Sequence, residues 1–186
     1  MRLLIDILFL IVICYYLYKF VQVLIQMNRK IILPTTVEEI AVIRKHPEKP
    51  VDFPTYSKQK VGIIIYSLML LFALGMLFVG FFSNELDWSL YLLIFLPLTY
   101  VYDLLYQFAF TEDGVLCGGR FIPWGKIKSY SFIAIDLTHK YYGFSKEANN
   151  GYELKIKSKL NTVSCVITTD DMKDRLDEIL QEHIKK

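Results

Sequence analysis

The sequence predicts an α-helical membrane part of three transmembrane helices followed by a small α+β domain. Three observations carry that reading. Val61 to Ser83 is an apolar run without a single charge. Ser89 to about Tyr106 is a second apolar run in which Asp103 is the only charge, and after Thr111 the pattern changes to strand-like alternation. A run of such length spans a hydrocarbon core about 30 Å thick. The polar break Asn84–Trp88 between the two runs makes them a helical hairpin, because open backbone cannot be satisfied in lipid.

The chain has 186 residues, of which 54% are hydrophobic and 15% aromatic, and a formal net charge of +2. That apolar content fits a membrane protein with a small extramembrane part, and the weak net charge argues against a nucleic-acid partner. Cys14, Cys117 and Cys165 lie far apart without metal-type spacing and read as buried free thiols of a reducing compartment.

Taken in order, residues 3–27 form a first apolar run, interrupted by Asp6 and Lys19. Arg2 alone makes a poor n-region and no small-residue cleavage site follows Cys14, so a retained helix is expected rather than a signal peptide. Lys19, Gln22, Gln26 and Arg29 recur at three- and four-residue steps and share one helical face. The 28–60 loop carries Arg29, Lys30, Arg44, Lys45, Lys49, Lys58 and Lys60, whereas the hairpin tip carries only Glu85 and Asp87. The positive-inside rule then places the loop in the cytoplasm and the N-terminus outside, in a multi-pass cell-membrane protein. Within the loop, Thr36-Val37-Glu38-Glu39 is a capping box that opens a short helix ending before Pro47, read either as a membrane-surface helix or as a plain connector.

The helices expected at about 61–83 and 89–107 complete a membrane domain over residues 1–110. Pro97 predicts a kink, and Gly75 and Gly80 have the wrong spacing for a small-residue dimer motif. Thr99, Asp103 and Gln107 make a polar stripe on the third helix. With the first and third helices running in the same direction, Lys19 and Asp103 lie at similar depth, so they are the candidate intramembrane polar pair. Pairing would lower the cost of burying either charge in lipid.

Residues 111–186 read as a cytoplasmic domain, an antiparallel sheet of about four to five strands closed by an amphipathic helix. Strands are expected at Val115–Cys117, Phe121–Ile122, Tyr130–Ile135, Tyr152–Lys157 and Val163–Thr168, with turns at Asp113-Gly114, Gly118-Gly119 and Asn149–Gly151. Met172, Leu176, Ile179 and Leu180 give the last helix one apolar stripe, with acids at its start. The run Phe110-Thr111-Glu112-Asp113-Gly114-Val115, followed by Gly119-Arg120-Phe121-Ile122-Pro123-Trp124-Gly125-Lys126-Ile127, resembles small bacterial membrane proteins with a C-terminal pleckstrin-homology-like domain. The resemblance implies a PH-like fold, complete or truncated since the region is shorter than a full barrel of that type, and implies no activity.

Trp124, flanked by Arg120, Lys126 and Lys128, is the candidate membrane-surface or partner contact. The alternative is that its indole packs between sheet and closing helix. No metal-binding, phosphate-loop or nucleophile motif is present, and His139 with Asp136 is the nearest approach to a catalytic couple. The expectation is therefore a non-enzymatic module without cofactor, tethered to the lipid bilayer and engaging a protein partner or the lipid surface. The alternative is an accessory subunit of a transport or export system that uses the polar residues of the helices.

Overall fold

The computed structural model describes residues 2–82, 100–159 and 161–184. The hairpin tip, Pro97 and most of the expected third helix lie outside the described residues. Two helices, α1 (Arg2–Met27) and α3 (Tyr56–Phe82), are long and apolar enough to cross a membrane. Their outward faces hold Leu4, Leu8, Ile11, Leu68, Leu71 and Phe72, each at least 59% exposed. An apolar surface of that kind needs an apolar neighbour. The two helices meet through Ile13, Phe20, Tyr66, Leu70 and Ala73, with the Phe20 and Tyr66 rings 4.2 Å apart.

The connector between these helices is where the structure adds most. Residues 28–60 supply β1 (Ile31–Leu33), α2 (Val37–Val42), β2 (Ile43–His46) and β3 (Lys49–Pro50). The capping box forms: the Thr36 hydroxyl accepts from the Glu39 N–H, and the Glu39 carboxylate accepts from the Thr36 N–H. The strands do not make a separate hairpin but join strands from the far end of the chain. These are β4 (Phe108–Thr111), β5 (Gly114–Cys117), β6 (Arg120–Pro123), β7 (Ile127–Ala134), β8 (Tyr152–Ser158) and β9 (Thr162–Ile167).

Two antiparallel sheets result, one ordered β1-β4-β5-β6 and the other β3-β2-β9-β8-β7. Leu33 lies opposite Phe110 in the first, and Ile43 opposite Ile167 in the second. The five strands expected after residue 111 form as β5–β9, but they are divided between a four-stranded and a five-stranded sheet that pack face to face, rather than making one sheet. The short segments Ile31–Leu33 and Ile43–His46 cover the edges that β4 and β9 would otherwise leave bare.

Between the sheets lie Leu33, Ile43, Phe108, Phe110, Leu154, Ile156 and Ile167, all fully buried. The C-terminal helix α4 (Asp170–Ile184) closes this core with Met172, Leu176 and Leu180, as its apolar stripe predicts. Arg175 of α4 ion-pairs with Glu39 of α2, so the closing helix is tied to the connector as well.

The second face of the first sheet is covered by α1. Val23 and Met27, from the last turns of that helix, pack with Leu105, Ala109, Leu116 and Phe121. The domain is therefore built directly onto the end of α1. Cys117 and Cys165 are buried free thiols as expected, whereas Cys14 is exposed on α1.

Candidate functional site

The segment expected to end the third helix is helical at Tyr100 and tightens into a 3-10 turn at Val101–Asp103. It then runs into β4. Lys45, on β2, caps this turn. Its buried Nζ donates to the carbonyls of Tyr102 (3.3 Å) and Leu105 (3.2 Å) and lies 2.9 Å from the Asp103 carboxylate. A cation placed over the last carbonyls of a helix satisfies acceptors that the helix leaves free. The same turn receives the Gly119 N–H on the Tyr102 carbonyl at 2.8 Å. Gly118 has φ +57°, and a Cβ there would lie 2.6 Å from the Tyr102 oxygen, so the turn between β5 and β6 needs glycine for both reasons.

The structure gives each member of the candidate pair a different neighbour. Asp103 takes Lys45 as its cation, and Lys19 Nζ instead reaches Gln22 Oε1 at 3.4 Å on its own helix. The physical reason is that Lys45 arrives with a strand that the sequence pattern did not attach to this end of the chain.

A second clasp holds α3 to the same segment. Gln59, 4% exposed in the first turns of α3, accepts from the Tyr106 N–H at 2.9 Å and donates to the Tyr106 carbonyl at 3.2 Å. The Asp52 N–H donates to the same carbonyl at 2.8 Å. One turn further along, α3 presents Gly62 to the Leu104 backbone so closely that a Cβ would come within 2.4 Å of the Leu104 oxygen.

Of the residues expected at a membrane or partner surface, the structure separates Trp124 from its basic neighbours. The Trp124 indole N–H is 3.1 Å from the carbonyls of both Thr111 and Glu112, and its ring lies 4.4 Å from that of His183 on α4. Trp124 thus packs between sheet and closing helix, the alternative that the sequence left open. Lys128 is exposed on β7. Arg120 and Lys126 instead border a groove between the domain and α1.

That groove consists of adjoining cavities. A cavity of about 270 Å³ is bounded by Tyr15, Tyr18 and Lys19 of α1 and by Pro123, Lys126 and Lys159 of the domain. A small hollow lined by Lys19, Tyr102 and Arg120 adjoins it, and beyond Arg120 lies a cavity of about 170 Å³ that reaches Lys45 and Ser164. The Arg120 guanidinium stacks over the Tyr102 ring at 4.5 Å. No carboxylate among the described residues pairs with Lys19, Arg120, Lys126 or Lys159. Many other basic groups of the domain do pair: Arg29 with Asp113, Lys30 with Glu112, Arg44 with Glu147. Lys19 and Lys126 were legible candidates. Lys159 carried no distinguishing signal beyond alternation with Lys155 and Lys157, because its position depends on where the β8–β9 turn meets α1.

The histidine expected beside Asp136 has a different carboxylate partner. Glu153, fully buried on β8, is surrounded by His139 Nε2 at 3.0 Å, Lys140 Nζ at 3.0 Å and Lys155 Nζ at 3.1 Å. Burial alone raises the Glu153 carboxyl, but bonding from Lys140, Lys155 and His139 outweighs it and holds the group below its ordinary range. His139 Nδ1 accepts the Tyr141 N–H at 3.2 Å, which leaves the ring proton on Nε2, directed at Glu153. With both nitrogens engaged, this imidazole has no lone pair free to act as a base. The cluster pins the 135–151 loop over the outer face of the second sheet, where Ile135, Ala148 and Val166 form a small core. Among the described residues no group of three or more His, Cys, Asp or Glu could hold a metal ion.

The fold and its groove define a class: a two-sheet antiparallel domain closed by a C-terminal helix and fixed to a pair of apolar helices. Residues 106–185 match the family model described as Domain of unknown function (DUF5673). No curated protein and no solved structure matches the chain. The matched segment begins at β4, so the model covers the second half of the structural domain and omits β1, α2, β2 and β3, which complete both sheets.

Proposed function

We propose that this chain is a membrane-tethered module that presents its sheet domain in one fixed orientation at the cytoplasmic face of the bilayer, where it serves interaction or regulation rather than catalysis. The observation that carries the reading is the construction of the joint. The last turns of α1, Gln59 and Gly62 of α3, and the Lys45-capped turn are all packed into the domain. A tether meant only to keep a domain nearby needs a flexible linker, whereas the described residues of this joint are packed together. Because β1 precedes α3 and pairs with β4, which follows it, the two ends of the Tyr56–Phe108 stretch lie on one side of the bilayer that α3 crosses. The basic residues of 28–60 favour the cytoplasm for that side.

The accessory-subunit reading rests on the polar residues of the helices. The contact of Asp103 with Lys45 at the domain joint favours the tethered module over it. The test is spin labelling of full-length chain in nanodiscs, with single labels replacing Lys128 and Lys157. Narrow depth distributions close to the headgroups are expected. Broad distributions extending into bulk water would sink the rigid-presentation reading.

A further inference from the structure

We propose that the groove between α1 and the sheet domain binds the phosphate headgroup of an anionic phospholipid, held by Lys19, Lys126 and Lys159 with Arg120 at its inner end. The inference deepens the tethering reading and rests on it. Charge comes first. Lys19, Lys126 and Lys159 line one cavity of about 270 Å³, just below the ~300–1,000 Å³ typical of small-molecule sites. Three amines converging on a hollow without a carboxylate repel one another and leave a deficit of negative charge that a phosphate monoanion or dianion fills.

Position along α1 then selects the source of that phosphate. Along its length α1 exposes Leu4, Leu8 and Ile11, then Tyr15, Leu17 and Tyr18 beside Lys19 at the groove, and past it Val21 and Ile25. Lys19 is thus a basic group set among exposed tyrosines on an otherwise apolar helix, the surroundings of a lysine that reaches the headgroup level. From Leu4 to Lys19 the helix rises about 22 Å at ~1.5 Å per residue, most of a hydrocarbon core about 30 Å thick. A bound lipid can therefore place its phosphate among the lysines while its acyl chains lie along the exposed side of α1, with Tyr15 and Tyr18 between. A free anion would satisfy the amines but leave that apolar surface bare. The occupant is accordingly a lipid, and the domain and helix grip it jointly, since Lys19 comes from α1 while Lys126 and Lys159 come from the β6–β7 and β8–β9 turns of the domain.

The experiment uses the full-length chain. Flotation with phosphatidylcholine liposomes comes first, and a chain that fails to float overturns the tethering reading itself. Native mass spectrometry of the detergent-solubilised chain then compares phosphatidylglycerol, phosphatidylcholine and water-soluble glycerol phosphate. The expected result is retention of phosphatidylglycerol over both others, weakened about fivefold for each of K19Q, K126Q and K159Q, the equivalent of ~1 kcal/mol per basic residue. The K128Q/K157Q variant, which removes exposed lysines outside the groove, should bind as the parent does. Equal retention of the two lipids, glycerol phosphate binding as tightly as phosphatidylglycerol, or an unchanged K19Q/K126Q/K159Q variant would each overturn the headgroup site while leaving the tether standing.

Discussion

Gln59 holds the backbone of Tyr106 as a neighbouring strand would, accepting its N–H at 2.9 Å and donating to its carbonyl at 3.2 Å. A helix residue thereby completes the backbone bonding of the segment that enters the first sheet. Gln59→Leu keeps the volume but removes both bonds. The carbonyl retains the Asp52 N–H, whereas the Tyr106 N–H is left unpaired. A loss of about 1–3 kcal/mol is expected, read as a lower thermal midpoint of the full chain in detergent. An unchanged midpoint would show that water replaces Gln59 without cost.

The choice between Lys45 and Lys19 as the partner of Asp103 is open to a double-mutant cycle. Lys45→Met and Asp103→Asn should couple by about 0.2–1 kcal/mol, modest because the Asp103 side chain is 62% exposed. Lys19→Met with Asp103→Asn should be additive. Lys45→Met alone should cost more than Asp103→Asn, since it also uncaps the Tyr102 and Leu105 carbonyls. Coupling of Lys19 rather than Lys45 would reverse the assignment.

Acid should loosen the domain through two glutamates. Glu153 is held low as described above. In Glu39, burial acts upward, but the Thr35 N–H and Arg175 act downward and prevail. As pH falls past about 4.3, the unfolded glutamates take up protons while the folded ones resist. Over that window the unfolded state binds more protons, so stability is full above it and is lost as pH drops through the folded values. Glu153→Gln should cost about 1.5–3 kcal/mol at neutral pH and flatten the acid limb of a denaturant midpoint-against-pH curve. A limb of unchanged slope would place the titration elsewhere.

Close approaches at two glycines should be intolerant of side chains. Gly118→Ala meets both the Tyr102 carbonyl and an unfavourable φ, and Gly62→Leu drives α3 away from Leu104. Each should lower stability by about 1–3 kcal/mol. Gly75→Ala, where a Cβ meets nothing within 4 Å, is the control.

Thiol labelling reads both burial and solvent. Burial pushes Cys117 up to about 11 and Cys165 well above its ordinary value, so neither is a thiolate at neutral pH. Both should react only when the domain unfolds. Cys14, exposed on α1, should take a membrane-permeant maleimide in liposomes but resist a charged one. Rapid reaction with the charged reagent would place Cys14 in water.

The elements that could be read from sequence are those whose pattern is local. The capping box at Thr36–Glu39, the alternation of Tyr152–Lys157 and the stripe Met172–Leu176–Leu180 all declare themselves within a few residues. What escaped was long-range pairing. Ile31–Leu33 and Ile43–His46 are too short to announce strands, and nothing local states that Leu33 faces Phe110 or Ile43 faces Ile167. From that gap followed the unforeseen contact of Asp103 with Lys45 and the unforeseen division of the strands between two sheets. Trp124 shows the same limit at a single residue, because its basic neighbours suggested a surface while Phe110 and His183 enclose it.

The interleaving of the two sheets also fixes a timetable for synthesis. When β1 and β2 leave the ribosome, their partners β4 and β9 have not been made, and strands with bare edges invite wrong pairings. Meanwhile α1 and α3 pack against each other as a pair, and Gln59 at the foot of α3 is already in place to receive Tyr106. The helices thus act as a template that raises the local concentration of waiting edges for the late strands. A fragment starting at residue 111 would have neither the template nor the partners, and is expected to be insoluble where the whole chain folds.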